Sequence, residues 1–196
     1  TALTTTGHLG LGIMAMLSLG ALLLAEPVLA FLLKRPLKEI LDMVLERSVG
    51  FFIVASSAIA LLSYWIIPTL LYDNYHNVSF WDPIWKFDSY GWIESVNMLF
   101  NGDLFDFGRF PVITLFVFLG IYAGFTARSM ALFSQTTKDK TKDEDLTPAD
   151  FPLFPLAFLF VFWLLMFFGR TTWGGLIDLI PGMKEVHLSR FIVGLH

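Results

Sequence analysis

Stretches without charged side chains divide the chain into apolar runs separated by polar segments. Four of these runs cover residues 9–25, 49–71, 111–127 and 152–168, and a further run starts at about residue 191. A helix needs about 20 mostly apolar residues to cross the hydrocarbon core of a bilayer. Backbone amides in lipid can pair only within such helices or within closed barrels. The pattern therefore predicts an all-α, polytopic transmembrane bundle with about four spans.

Two shorter segments show helical spacing with only one apolar face. In residues 34–47 the apolar and charged side chains take opposite faces. This predicts an amphipathic helix along the membrane surface or against a neighbour, with its apolar face buried in lipid or protein. The apolar face consists of Leu37, Ile40, Leu41, Val44 and Leu45, and the other face carries Lys38, Glu39, Asp42 and Glu46. The spacing of Trp92, Val96, Leu99 and Phe100 before Asn101-Gly102 predicts a second, short interfacial helix.

Composition supports a membrane protein formed as one transmembrane domain. Of the 196 residues, 56% are hydrophobic and 15% are charged, against about 45–50% and about 25% in soluble domains. The chain has no cysteine, which excludes disulfides and thiolate metal sites, and its net charge of −4 favours no nucleic-acid partner. No histidine or charged residue lies in the middle of a run, which argues against haem or an ion pathway. Glu26, at the end of the first run, is the nearest exception.

Lysine and arginine predict the orientation. The segments after the first and third runs carry eight of them and the opposite side carries five. By the positive-inside rule, segments 34–47 and 133–151 face the cytoplasm, and segments 72–109 and 169–190 lie outside. All four histidines and four tryptophans, Trp81, Trp85, Trp92 and Trp173, then fall on or near the outer side.

The outer loops contain the residues that can carry chemistry. Asp73, His76, Asp82 and Asp88 could hold a divalent cation, but aspartates beside Pro, Ser and Gly more commonly form turns and caps. We therefore predict no cofactor and keep Asp73 and His76 only as polar candidates. Asp178 is a third such candidate, in the final loop.

The final loop contains a candidate anion site. His187 and Arg190 are three residues apart, so they share a face if a helix starts near Val186, and the amides at its start would add to their attraction for a phosphate. Arg170, at the end of the fourth run, is the second cation expected there. The alternatives are a salt bridge of these residues with Glu185, and an interfacial anchor at Arg170.

Several motifs resemble one family of proteins. The segments "FGRTTWGGLIDLIPGMKEVHLSRFIVGLH", "SYWIIPTLLY", "WDPIWKFDSYGW" and "GRFPVITL" are similar to large prokaryotic integral membrane proteins described as 6-pyruvoyl-tetrahydropterin synthase-related, a label that implies no pterin chemistry here. These proteins look like the GT-C glycosyltransferase superfamily. The resemblance implies a plasma-membrane protein that uses a polyprenyl-phosphate-linked sugar at the outer face.

The resemblance also implies that part of the family pattern lies elsewhere. GT-C enzymes place a catalytic aspartate in a first outer loop, and a chain that begins "TALTTT" and closes on a new apolar run is expected to be a central piece that follows this loop. The alternative function is a non-catalytic membrane subunit. It would pack against other chains through the fourth run and through Gly120 and Gly124, which are spaced as in GxxxG helix contacts.

Overall fold

The computed structural model describes residues 9–72, 81–126, 150–180, 183 and 186–196. All regular structure in these ranges is helical, which confirms the predicted all-α class. The α-helices are α1 (Leu9–Leu32), α2 (Leu37–Leu71), α3 (Ile84–Asp88), α4 (Trp92–Phe100), α5 (Val112–Gly124), α6 (Phe154–Phe167) and α7 (Gly169–Trp173). Two 3₁₀ helices follow, Gly174–Leu179 and Leu188–Gly194.

Two described helices are long and apolar enough to cross a membrane, through the segments Leu11–Leu32 and Leu37–Tyr64. They make the chain an integral membrane protein. A third span is present only if α6 and the following segment Gly169–Leu179, which meet at an 81° bend, count as one. Helix α5 has 13 residues, about 20 Å at 1.5 Å per residue, against about 30 Å of hydrocarbon. The prediction of four spans is therefore not confirmed.

Helix α1 continues past the first apolar run, and this changes the position of Glu26. Pro27 lies inside the helix without ending it, so Glu26 is within the candidate span and not at its end. Glu26 accepts a hydrogen bond from Arg47 of α2, and the two side chains form a salt bridge. Pairing with the opposite charge is the usual way in which an ionisable residue is tolerated in such a helix.

Helix α2 corrects the predicted surface helix. The stretch from Leu37 is helical as expected, but it runs without a break into the second apolar run, because no proline or turn sequence separates them and Gly50 costs only about 1 kcal/mol. Leu37, Leu41 and Leu45 are 69%, 52% and 66% exposed. The described chain itself does not bury these three residues, and they are open to lipid or to a partner, whereas Ile40 and Val44 are half-buried.

The chain divides into two compact units. The first comprises Thr1–Gly20, Val49–Val96 and Trp163–His196, and the second comprises Ala21–Ser48 and Asn97–Phe162. The core of the first unit contains Trp163, whose indole donates a hydrogen bond to Ser18 Oγ (3.1 Å) and lies edge-on to Phe191. The core of the second contains Ala25, Leu29, Phe151 and Phe154.

In the second unit, Asp106 fixes the start of α5. Its carboxylate accepts hydrogen bonds from the amides of Ile113 and Thr114, both at 3.0 Å, and from the Thr114 hydroxyl at 2.8 Å. Desolvation alone would raise the pKa of Asp106, but these hydrogen bonds outweigh it and lower the pKa below its ordinary value. An acidic side chain thus satisfies the amides that a helix start leaves unpaired.

Glycines mark one predicted helix end, at Asn101-Gly102, and one predicted helix contact, at Gly120 and Gly124. Helix α4 ends at Phe100, and Gly102 follows with φ of +80°, which confirms the predicted stop at Asn101-Gly102. Gly124 lies against Ala157 so closely that a Cβ atom would collide, whereas a Cβ at Gly120 would meet nothing within 4 Å. Gly124 therefore packs against α6 within this chain, whereas the surface at Gly120 is not in contact with another part of the described chain.

Candidate functional site

The segment around Ser89 crosses the end of α6 in the first unit. Ser89 Oγ donates a hydrogen bond to the carbonyl oxygen of Phe167, one of the carbonyls that the end of α6 leaves without a helical partner. Gly169 has φ of +66° and lies directly against the Asp88 carbonyl, where any Cβ would collide. Only glycine fits both conditions. The turn after α6 is therefore fixed against the chain that follows α3.

Arg170 joins three segments of this crossing. Its Nε donates to Asp178 Oδ1 (2.9 Å), its Nη1 donates to the Phe87 carbonyl (2.9 Å), and its Nη2 donates to the Met183 carbonyl. A carboxylate oxygen of Asp88 lies 4.0 Å from Nη1. The side chain is only 15% exposed. The planar donor fork predicted for a phosphate is thus used by the protein itself, and it positions the loop that leads to His187.

His187 lies beside α3. Its ring meets the edge of Phe87 with ring centroids 4.1 Å apart, and its Nε2 is 3.7 Å from Asp82 Oδ2. Two residues later, Ser189 Oγ donates to the Lys86 carbonyl at 3.0 Å. These contacts hold the 3₁₀ helix Leu188–Gly194 against α3.

The charges of two cations act on this histidine. Lys86 Nζ lies 2.7 Å from Asp82 Oδ1. Burial lowers the pKa of His187 from its ordinary value, and the positive charges of Arg190 and Lys86 lower it further, against the opposing effect of Asp82. The imidazole is therefore uncharged at neutral pH, and it offers one N–H donor and one acceptor.

Arg190 is the exposed member of the group. Its backbone amide donates to the His187 carbonyl at 3.1 Å, so the two residues share one turn. No hydrogen bond or ion pair of its guanidinium is found within the described part of the chain, and its fork is open to solvent. Lys184 and Glu185 lie outside the described residues, as does the predicted salt bridge with Glu185.

The helix predicted at this site differs from the observed one. A 3₁₀ helix starts at Leu188 instead of an α-helix near Val186, and it has seven residues. Its amides add little attraction for an anion, because so short a helix has a small dipole. Phe191 is buried against Trp163, so the further span expected from about residue 191 coincides with a packed 3₁₀ turn in this structure.

The aspartates of the outer loop do not form a metal cluster in the described ranges. No group of three His, Asp or Glu side chains is placed there to hold an ion. Asp82 instead contacts Lys86 and His187, and Asp88 lies near Arg170. Asp73 and His76 fall outside the described residues, so the site predicted with them is untested.

Sequence reasoning did not identify Lys86, Phe87 and Ser89 as parts of this site. Lys86 meets residue 189 across 103 positions of sequence, and no local pattern encodes such a contact. Ser89 and Gly91 after Asp88 are residue types that favour turns, which is a local signal in the sequence. In the structure both residues have positive φ.

No protein-family model, curated protein or solved structure matches this chain.

Proposed function

We propose that this chain is part of a membrane-embedded, glycosyltransferase-like protein that uses a polyprenyl-phosphate-linked sugar at the outer membrane face. One observation carries the proposal. Arg190, with its guanidinium open to solvent, and Lys86 are the two cations whose positive charges act on His187 and help to keep it uncharged. Two cations and an imidazole N–H suit a phosphate, which accepts several charge-assisted hydrogen bonds.

The chemistry of sugar transfer gives these residues a role. When an acceptor hydroxyl attacks the anomeric carbon, its proton passes to a carboxylate base, which the family resemblance places in a first outer loop. The bond from the anomeric carbon to the phosphate oxygen breaks, and negative charge collects on the departing lipid phosphate. Donors already aimed at that phosphate stabilise the transition state more than the ground state. In the proposal Arg190 contacts the phosphate directly, His187 donates a further hydrogen bond, and Lys86 supplies charge.

Arg170 has a different role in the proposal from the one its sequence position suggested. Its donors are directed at Asp178 and at two backbone carbonyls. We assign it to positioning the loop that carries His187. The outer location of this site rests on the Lys/Arg bias of the sequence.

Substitution of Arg190 tests the proposal. We expect Arg190→Ala to weaken binding of a photoactivatable polyprenyl phosphate by a factor of about 10 to 100, the loss of a charge-assisted hydrogen bond. Arg190→Lys should lose nearly as much, because a point charge does not replace the bidentate fork. The protein would be reconstituted in vesicles and cross-linked by light. Arg109→Ala, which removes an exposed arginine of the second unit, is the matched control.

Unchanged labelling in both Arg190 variants, with the protein inserted and folded, would contradict the proposal. It would favour the alternative function, a non-catalytic subunit that packs within a larger membrane complex. That alternative has its own support in the second unit. An apolar groove of about 240 Å³ runs between α5 and α6 and includes the open glycine Gly120. A groove of this kind suits a helix of another chain.

A further inference from the structure

One carboxylate already lies at the candidate anion site. Asp82 Oδ1 is 2.7 Å from Lys86 Nζ, and Asp82 Oδ2 is 3.7 Å from His187 Nε2. The side chains of Asp82 and His187 are 22% and 14% exposed, so these contacts are only partly open to water. A phosphate that approaches Lys86 therefore meets an anion of the protein in the position that its own oxygens would take.

The charges at this site leave one positive charge for a ligand. Arg190 and Lys86 contribute positive charge at His187, and Asp82 contributes negative charge. Lys86 and Asp82 are paired, and the imidazole is uncharged at neutral pH. What remains is the guanidinium of Arg190, for which no acceptor is found within the described ranges. An anion with a single charge matches this balance, whereas a second charge on the anion has no unpaired cation among these residues to contact.

Sugar transfer from a lipid phosphate changes the charge of that phosphate. In the donor, the phosphate is a diester of the lipid and the sugar, and it carries one negative charge. After the bond to the anomeric carbon breaks it is a monoester, whose second pKa of about 6 gives it nearly two negative charges at a pH of about 7.5. Donor and product thus differ in charge at the one group that both present to the site.

We propose that Asp82 determines the specificity of the site for the singly charged phosphodiester over the doubly charged phosphomonoester, because it occupies the cation that the second charge would need. The inference rests on the proposed function and adds a residue to it. With Lys86 held by Asp82, Arg190 and His187 bind the donor. The product gains a charge that the site does not compensate, so the product is released more readily.

Asp82→Asn tests the inference, because it removes the charge and keeps nearly the same shape. The full chain would be reconstituted in phosphatidylcholine vesicles and labelled with two photoactivatable probes, a polyprenyl phosphate and the methyl phosphodiester of the same lipid. We expect Asp82→Asn to raise labelling by the monoester about tenfold and labelling by the diester about threefold or less, because only the monoester brings a second charge to Lys86. Labelling by the corresponding polyprenol, which has no phosphate, should not change.

Asp88→Asn is the matched control. Asp88 is the last residue of α3, and its carboxylate lies 4.0 Å from Arg170. The variant therefore removes one negative charge from the same short region while the pair of Lys86 with Asp82 stays intact. We expect it to leave the ratio of monoester to diester labelling unchanged.

A second substitution separates competition for Lys86 from a general change in charge. If Asp82 competes with the phosphate, Lys86→Ala should lower monoester labelling only about twofold in the wild type but should remove most of the gain in Asp82→Asn. A general effect would give Lys86→Ala the same cost in both proteins, since independent changes add.

Thermal unfolding would establish that the variants are folded. Asp82→Ser would replace Asp82→Asn if the latter unfolds, because both residue types suit a turn before a helix. An unchanged ratio of monoester to diester labelling in the folded variant would overturn the inference, and so would an equal cost of Lys86→Ala in both proteins.

The proposed function can fail separately from this inference. Loss of labelling in Arg190→Ala with an unchanged ratio in Asp82→Asn would retain the proposed function and overturn the role of Asp82. Unchanged labelling in Arg190→Ala with a raised ratio in Asp82→Asn would do the reverse. An absence of labelling by both probes in every variant would overturn both.

Discussion

Arg170 and Arg190 are twenty positions apart in the same closing segment, and the structure uses them in opposite ways. Arg170 is largely buried, and its donors are taken by Asp178 and by the carbonyls of Phe87 and Met183. Arg190 is exposed, and its guanidinium contacts no acceptor in the described ranges. The same side chain therefore serves as a structural link in one place and as an available donor in the other.

The difference teaches how to separate an anion site from a structural ion pair. The sequence suggested that both arginines bind a phosphate, Arg190 because it is three residues from His187 and Arg170 because it ends the fourth apolar run nearby. Satisfied donors identify the structural arginine, and open donors beside other cations identify the candidate ligand.

The largest effect is expected for Arg170→Ala. Removing the side chain leaves Asp178 and two carbonyls without their donor, and losing a hydrogen bond to a charged group in a partly buried site costs about 1.5–3 kcal/mol. We expect a clear loss of stability in thermal unfolding of the detergent-solubilised protein. Arg170→Lys should recover only part of it, because one ammonium group cannot reach acceptors on three separate segments.

Arg190→Ala is the matched control for this experiment. Because its side chain is exposed, we expect its stability to change by less than about 0.5 kcal/mol. Equal stability of the two alanine variants would contradict the structural role assigned to Arg170.

A smaller effect is expected from titration of His187. As the pH falls below about 6.5 and then through the lowered pKa of His187, the imidazole gains a proton and becomes a third positive charge beside Arg190 and Lys86. Binding of polyprenyl phosphate should then strengthen by a few fold, about 1 kcal/mol for one added charge near a surface anion. His187→Gln should show a flatter pH profile, and an identical profile in both proteins would contradict the role of His187.

The same lowered pKa has a consequence for stability. The unfolded chain takes up the proton before the folded protein does, because its histidine pKa is higher. The contribution of His187 to stability is therefore fully present above about pH 6.5 and is lost as the pH falls through the folded-state pKa. Acid thus weakens the fold at this residue while it strengthens anion binding.

The smallest effect is expected for Lys86→Ala. The side chain of Lys86 is 39% exposed, and exposed ion pairs contribute about 0–1 kcal/mol, so unfolding should shift little. Lipid-phosphate labelling should fall, but by less than in Arg190→Ala, since Lys86 already has Asp82 as its partner. A larger loss of labelling than in Arg190→Ala would reverse the roles assigned to the two cations.

Local signals predicted the helices well and their lengths poorly. The apolar runs located α1, α2, α5 and α6, and Asn101-Gly102 marked the end of α4. The sequence did not reveal that α1 continues past Glu26 or that the helix from Leu37 and the second apolar run form one helix, because an absence of charge marks apolar surface and not helix ends. A paired charge such as Glu26 with Arg47 lets a helix continue where an unpaired charge would be costly.

The candidate site was predicted in part for a similar reason. The spacing of His187 and Arg190 is local, and the structure places both in one turn. The contacts of Arg170 with Phe87 and of Ser189 with Lys86 join residues more than 80 positions apart. Contacts of this kind depend on tertiary packing, and one sequence contains no local pattern that encodes them.

The ion pair between Glu26 and Arg47 bears on how the protein enters the membrane. A tight turn connects the two helices, with the Arg35 amide bonded to the Ala30 carbonyl and Lys34 at φ of +57°. An arginine that partitions alone into the centre of a bilayer costs about 2.5–3.5 kcal/mol on insertion scales. If α1 and α2 pack against each other before they leave the translocon, Glu26 and Arg47 enter the membrane as an ion pair without net charge. We therefore expect α1 and α2 to insert into the membrane together as a helical hairpin, after α2 has been synthesised.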